Sequence, residues 1–233
     1  MYFRITLMRR KVGLARDAFN RHWLGSHAPI AARLPGLRSY VQNHILSIAP
    51  PFGMAAVPSR DNWLATLDGI ARLSFDSEEE MQTAFGSPVM LEIADDTPLY
   101  VSSIQAFGAL ENVVIGPLAR GGACKIVSLH TRNPSLDEAE FQEAWRARYA
   151  GLVRELSECA GYVQSRIVNR SQAGGLAASY DELPFDGVDE IYFPSEDSIL
   201  RVKSTAQYAE LSRFLQSISR EVMSFSVRHE SIV

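Results

Sequence analysis

Sliding this chain against itself by 122 positions aligns residues 5–47 with 127–169 without a gap, and 11 of the 43 paired residues are identical. Chance at this composition would give roughly three. The identities include Leu7/Leu129, Phe19/Phe141, Trp23/Trp145, Leu34/Leu156, Tyr40/Tyr162, Val41/Val163 and Gln42/Gln164. At a shift of 118 a later stretch also pairs, with Asp68-Gly69 over Asp186-Gly187 and Phe75 over Phe193. A repeat fixes the architecture before any motif does: two copies, 1–116 and 117–233, follow one another, joined near GPLARGG at 116–122.

Each copy reads as strand, helix, strand, strand, helix, strand. Phe3, Ile5 and Leu7 alternate with Arg4, Thr6 and Met8, the period of a half-buried strand. Phe19, Trp23, Ile30 and Leu34 form one helical stripe, repeated by Phe141, Trp145, Leu152 and Leu156, and that stripe should lie on the sheet. Strands follow at Tyr40 to Leu46 and Tyr162 to Val168. After Pro/Gly/Ala-rich connections (49–61, 171–187) come strands near 63–75 and 187–193. Asp76, Ser77 and Glu78 supply capping chemistry for a second helix, and 102–115 and 221–232 read as closing strands. A four-stranded sheet with helices on one face leaves the other face bare. The second copy can cover it, so the expected fold is α+β: two tandem ferredoxin-like (βαββαβ) modules forming an intramolecular pseudo-dimeric α+β barrel.

Composition narrows the function. Twenty-three Lys and Arg against 27 Asp and Glu give a net charge of -4, too little positive field to hold a nucleic acid. Cys124 and Cys159 sit in no metal-ligand or disulfide pattern, which suits a reducing, cytoplasmic setting. No run of about 18 apolar residues predicts a membrane span, and no metal or organic cofactor motif occurs. The expected partner is a small molecule. An exposed sheet edge could also recruit a second chain, giving a homodimer of pseudo-dimers.

The run Phe19-Asn20-Arg21-His22-Trp23-Leu24-Gly25-Ser26-His27-Ala28-Pro29, followed by Leu34-Pro35-Gly36-Leu37-Arg38-Ser39-Tyr40-Val41-Gln42-Asn43, resembles the EthD family of the dimeric α+β barrel superfamily. Asp68-Gly69-Ile70-Ala71 and Phe75 are similar too; the second copy is a divergent match. Members are often single copies that dimerise, so the tandem chain resembles such a dimer fused. The name-giving protein is tied to ether degradation without a settled reaction. Relatives include methylmuconolactone methylisomerases and fungal polyketide dehydratases or decarboxylases, acting on small cyclic carbonyl compounds without cofactor.

Buried imidazole is a natural proton shuttle near neutral pH. His27 extends the Phe19/Trp23 stripe and should point at the sheet, with Pro29 kinking the helix beside it. As a core residue it would simply bond a freed carbonyl; relatives with His and Tyr at this spacing imply catalysis. Tyr40, Gln42 and His44 share one strand face, opposite Val41, Asn43 and Ile45, and are expected to look into the space between the sheets. There a phenol could hold a developing enolate, although Tyr162 and Gln164 repeat two of the three as packing would also require. This face assignment separates Tyr40 from His27. Asp68 could orient His27 or act as base, or be ordinary Asp-Gly turn chemistry. Trp23 could line the site, and Arg38 and Arg72 could bind a substrate carboxylate, surface pairing being the simpler role for each. His22 reads as solvent-facing or as capping Trp23.

Copy 2 lacks the imidazoles of copy 1, because Ala144, Tyr149 and Arg166 replace His22, His27 and His44. One working site, in residues 1–116 and closed by the second copy, is the expectation; Tyr149, His130 and Arg166 could form another. The favoured activity is a cofactor-independent isomerase or lyase (dehydratase or decarboxylase type) acting on a small cyclic carbonyl or hydroxylated aromatic. Alternatives are a non-catalytic ligand-binding barrel, or haem or oxygenase chemistry with His27 as axial ligand.

Overall fold

A computed structural model describes residues 1–49, 63–116, 124–172 and 175–233. The joint at 116–122 and the 49–61 connection fall almost wholly outside these residues, as do Ala173 and Gly174 within the second connection. Strands β1 (Tyr2–Arg10), β2 (Ser39–Ala49), β3 (Gly69–Phe75) and β4 (Val101–Ile115) belong to the first half. Strands β5 (Cys124–Arg132), β6 (Gly161–Gln172), β7 (Gly187–Phe193) and β8 (Ser219–Ser231) belong to the second. They close into one antiparallel barrel in the order β1-β3-β2-β8-β5-β7-β6-β4. Each half is a four-stranded ferredoxin-like sheet. Across the junctions β2 pairs with β8 and β4 with β6, as Val41 opposite Ser231 and Asn112 opposite Gln164 illustrate. Closure leaves none of the eight strands with a free edge, which corrects the expectation that an exposed edge could recruit a second chain.

The helices cover the outside. In the first half α1 (Arg16–His22) runs into a π-helical turn, Trp23–His27, and then α2 (Ala28–Ala31). The second half repeats this as α5 (Glu138–Glu143), a π turn at Ala144–Tyr149, and α6 (Ala150–Arg154). The proline at position 29 is therefore not the cause, since Gly151 stands there in the other half. What both halves share is a glutamine reaching out from the sheet. Gln42 Nε2 donates to the Trp23 carbonyl at 2.9 Å, and Gln164 Nε2 to the Trp145 carbonyl at 2.8 Å. The repeated Trp and Gln thus brace the widened turn.

A short 3-10 turn (Leu64–Thr66) leads into β3. Where one second helix was expected per half, there are two: α3 (Glu78–Phe85) and α4 (Pro88–Tyr100), then α7 (Glu196–Lys203) and α8 (Ala206–Ile218). Ser77 caps α3 by accepting the Glu80 N–H.

The barrel interior is filled by Phe3, Ile5, Leu7, Ile45, Ile70, Phe107, Val127, Leu129, Ile167, Val188 and Phe225. Helix-side clusters form around Phe19, Trp23, Leu34, Tyr40 and Phe75, and around Phe141, Trp145, Leu156, Tyr162 and Phe193. The predicted stripes lie on the sheet as expected. The faces of β2 do not: Tyr40, Gln42 and His44 turn toward the helices, while Asn43 and Ile45 point into the barrel. In a barrel clad by helices both faces of a strand are buried, so alternation pairs residues correctly without saying which side is inward.

Two further details correct the sequence reading. The Asp-Gly pairs are more than turns. A Cβ at Gly69 would sit 2.5 Å from the Trp23 indole, and one at Gly187 would sit 2.5 Å from Trp145. Glycine is required there because the indole lies on the strand backbone. Arg72, expected at the surface, is buried inside the barrel. It pairs there with Glu111, and its Nε lies 3.6 Å from Glu190, which also accepts from Lys125 at 2.7 Å and from the Tyr192 hydroxyl at 3.0 Å. A shift of 118 overlays Arg72 on Glu190. Two identical halves would oppose like charges at this place, so the pair depends on the halves having diverged.

Candidate active site

The π turn determines where the first-half histidines point. In a regular helix His22 and His27 would diverge around the axis by about 140°. The wider turn brings both onto the side facing α4, where one carboxylate receives both. His22 Nε2 lies 2.8 Å from Asp96 Oδ1 and His27 Nδ1 lies 2.9 Å from Asp96 Oδ2. His27 therefore faces the neighbouring helix and not the sheet, which corrects its expected direction. His22 is partly shielded, stacked on Tyr100 with ring centroids 4.8 Å apart, and not simply solvent-facing.

Asp96 is the residue the sequence reading missed. Its place as one of two adjacent aspartates on a surface helix resembles ordinary solvation, and only the packing of α4 on the π turn gives it a task. With Asp96 holding the Nδ1 proton, His27 presents Nε2 as the nitrogen available to a ligand. Burial lowers the His27 pKa, partly offset by the Asp96 hydrogen bond and charge, so the neutral, basic form dominates at neutral pH.

The phenols stand behind the imidazoles. Tyr100 packs against His27 with ring centroids 5.3 Å apart, and its buried hydroxyl has no hydrogen-bond partner. Burial, then the nearby Tyr40 and Asp96, push its pKa far up, so it stays a donor. Tyr40 Oη accepts from Trp23 Nε1 at 3.0 Å and Gln42 Nε2 at 2.9 Å and keeps its own proton to give. Burial raises it to about 12 against those two hydrogen bonds. His44 continues the chain, its Nε2–H donating to Gln42 Oε1 at 3.1 Å and its Nδ1 meeting the Asn20 side-chain amide at 2.8 Å, its pKa pushed down to about 4 by burial and by Arg228. Because Tyr40 and His27 both lie on the helix side, the separation the sequence reading implied is absent.

Other predicted residues lie elsewhere. Asp68 does not orient His27; it accepts from the Arg10 backbone N–H at 2.9 Å and from the Arg10 guanidinium. Asp186 repeats this clamp with Arg132, at 2.8 Å from its N–H. Arg38 is exposed and paired with Asp76, and Arg72 lies in the barrel interior, across the sheet from His27. Trp23, Gln42 and His44 do join the cluster, Trp23 and His44 with ring centroids 4.6 Å apart.

The halves diverge at this place. At the positions of His22, His27, Asp96 and Tyr100 the second half carries Ala144, Tyr149, Phe214 and Ile218. It has instead a fully buried network around Asp189, which accepts from His130 Nε2 at 2.7 Å and the Tyr162 hydroxyl at 2.9 Å and also bonds Tyr149. Of the alternative trio, His130 and Tyr149 meet through Asp189, whereas Arg166 lies apart, lining a separate surface cavity.

A tandem α+β barrel carrying an imidazole, carboxylate and phenol cluster in one half defines the class of protein. The particular family follows from comparison: a family model described as the EthD domain matches residues 11–103 and 133–219, and the chain belongs to that family. No curated protein matches it in sequence. Among solved structures it is similar in fold to an anthrone oxidase-like protein, at 8% identity and TM-score 0.61, covering 99% of this chain and 93% of that one. It is likewise similar to a candidate monooxygenase from Fusobacterium nucleatum subsp. nucleatum ATCC 25586, at 5% identity and TM-score 0.62, covering 99% and 93%. A third, a candidate monooxygenase from Lactobacillus acidophilus NCFM, aligns at 7% identity and TM-score 0.57, covering 98% and 93%. At these identities the likeness is one of fold. Among the described residues no helix is long and apolar enough to cross a membrane.

Proposed function

We propose that the protein is an acid–base enzyme, a cofactor-independent isomerase or lyase of the dehydratase or decarboxylase type. Its substrate is a small cyclic carbonyl or hydroxylated aromatic compound. The observation that carries this is the His22–Asp96–His27 bridge beside the unpartnered Tyr100 hydroxyl, built in one half and replaced at all four positions in the other. The second half closes into the same fold without this bridge, so the shared fold does not require it. In this reading His27 Nε2 takes the proton next to the carbonyl, and Asp96 stabilises the imidazolium that forms. Tyr100, and Tyr40 behind it, donate to the oxygen as charge develops. A neutral base and two high-pKa phenols suit that division at neutral pH.

The test is a panel of muconolactones, hydroxylated aromatics and small polyketide-like acids, screened by thermal shift and by turnover. Wild type should convert at least one member, while H27Q binds it with nearly unchanged affinity and loses about 10²–10⁴-fold in kcat, the range for general acid–base catalysis. Binding without conversion by wild type would instead indicate a ligand-binding barrel. The same base would equally activate a substrate that then meets dioxygen, the kind of reaction after which the structural neighbours are named. Oxygen consumption in the same assay separates the two.

A further inference from the structure

We infer that the second half carries its own binding site, for a small hydroxylated carboxylate, on the outer face between α5, the following π turn and β6. A surface cavity of about 370 Å³ lies there, lined by Glu138, Ala139, Gln142, Arg146 and Arg166. It is large enough for one aromatic ring with its substituents. Three features of the lining point to a ligand.

The first is charge. Arg166 reaches Glu138 only at 4.0 Å, too far for a hydrogen bond, and Arg146 forms no ion pair among the described residues. Two guanidiniums against one carboxylate leave a net positive cavity, and guanidinium pairs match a carboxylate in shape and charge. The second is Gln142. Its Nε2 is committed to the Asp186 carbonyl at 2.9 Å, so its Oε1 must be the acceptor, yet that oxygen is buried without a partner on a residue only 8% exposed. A buried acceptor left open calls for a donor, which a ligand hydroxyl supplies. A carboxylate for the arginines and a hydroxyl for the amide together specify a hydroxy acid.

The third is comparison between the halves. Gln142, Arg146 and Arg166 stand where the first half has Asn20, Leu24 and His44. There the Asn20 side-chain amide and His44 Nδ1 meet at 2.8 Å and satisfy the place internally. The second half has exchanged a closed pair for two arginines and an open acceptor. None of these residues belongs to the His27 cluster, so this site stands or falls independently of the proposed reaction.

Calorimetric titration of the full chain with 2-, 3- and 4-hydroxybenzoate, with benzoate and phenol as controls, tests the proposal. At least one hydroxybenzoate should bind, several-fold to about tenfold tighter than benzoate, the value of one neutral hydrogen bond. Phenol should not bind measurably, and raising the salt should weaken the hydroxybenzoate. R146Q/R166Q, both surface positions, should lose binding by at least about tenfold, as removal of charge-assisted contacts requires. H27Q should bind like wild type. Q142M should remove the preference for the hydroxylated acid; if that variant does not fold, the comparison of ligands on wild type still decides the point. Absence of binding by every hydroxybenzoate at millimolar concentration, retention of binding in R146Q/R166Q, or loss of binding in H27Q would each overturn the assignment.

Discussion

Glu190 offers the sharpest test of how the barrel is held together. It is buried inside, with Lys125 Nζ at 2.7 Å, the Tyr192 hydroxyl at 3.0 Å and Arg72 Nε at 3.6 Å. Burial pushes its pKa up, but Lys125 and Arg72 pull harder the other way and bring it from 4.5 to about 2. That drop corresponds to a net of on the order of 3 kcal/mol in favour of the ionised carboxylate, left over after its burial has been offset. E190Q keeps the shape and removes the charge, leaving Arg72 and Lys125 facing Glu111 alone in a dry interior. The expected loss is about 3–5 kcal/mol, the usual cost of breaking a buried ionic pair from one side. Urea unfolding followed by far-ultraviolet circular dichroism at pH 7 measures it.

The sign with pH follows from the same numbers. A carboxylate whose folded pKa is depressed contributes stability that is complete above its unfolded value, near 4.5. That stability is lost as pH falls through the folded value, near 2. Wild type should therefore lose its advantage over E190Q progressively across that window. The duplication supplies a control: R72E, which puts into β3 the residue that stands at this place in the other half, should be strongly destabilised because it adds a third carboxylate beside Glu111 and Glu190. A change under about 1 kcal/mol in E190Q, the size expected of an exposed pair, or an R72E variant as stable as wild type, would refute the reasoning.

Two other expectations concern the first half. Asp96 raises the His27 pKa against burial, so D96N should move the acid limb of the pH–rate profile to lower pH and reduce the plateau rate; an unmoved limb would show that His27 is not the titrating base. G69A should cost about 1–3 kcal/mol by overpacking against Trp23. In a double-mutant cycle with W23F part of that cost should disappear, whereas strict additivity would mean the indole is not what excludes the Cβ.

Much of the fold was legible in the sequence because duplication prints the same pattern twice. The repeated Phe, Trp and Leu stripe could only be a helix against a sheet, and two half-clad sheets in one chain could only cover each other. The EthD likeness rested on the same residues, and His27, Tyr40, Trp23, Gln42 and His44 were legible as candidates because imidazole and phenol chemistry stood on a helical stripe and on one strand face. Three things waited for the tertiary structure. Which face of β2 looked inward was undecided by alternation, because the closed barrel buries both. The direction of His27 depended on a π turn whose brace, Gln42, comes from a strand 19 residues away, so no local helical period could report it. Asp96 and Glu190 acquire their meaning from partners far off in the chain. Whether a carboxylate is solvated, bridges two imidazoles or holds a buried arginine depends on what the fold packs beside it.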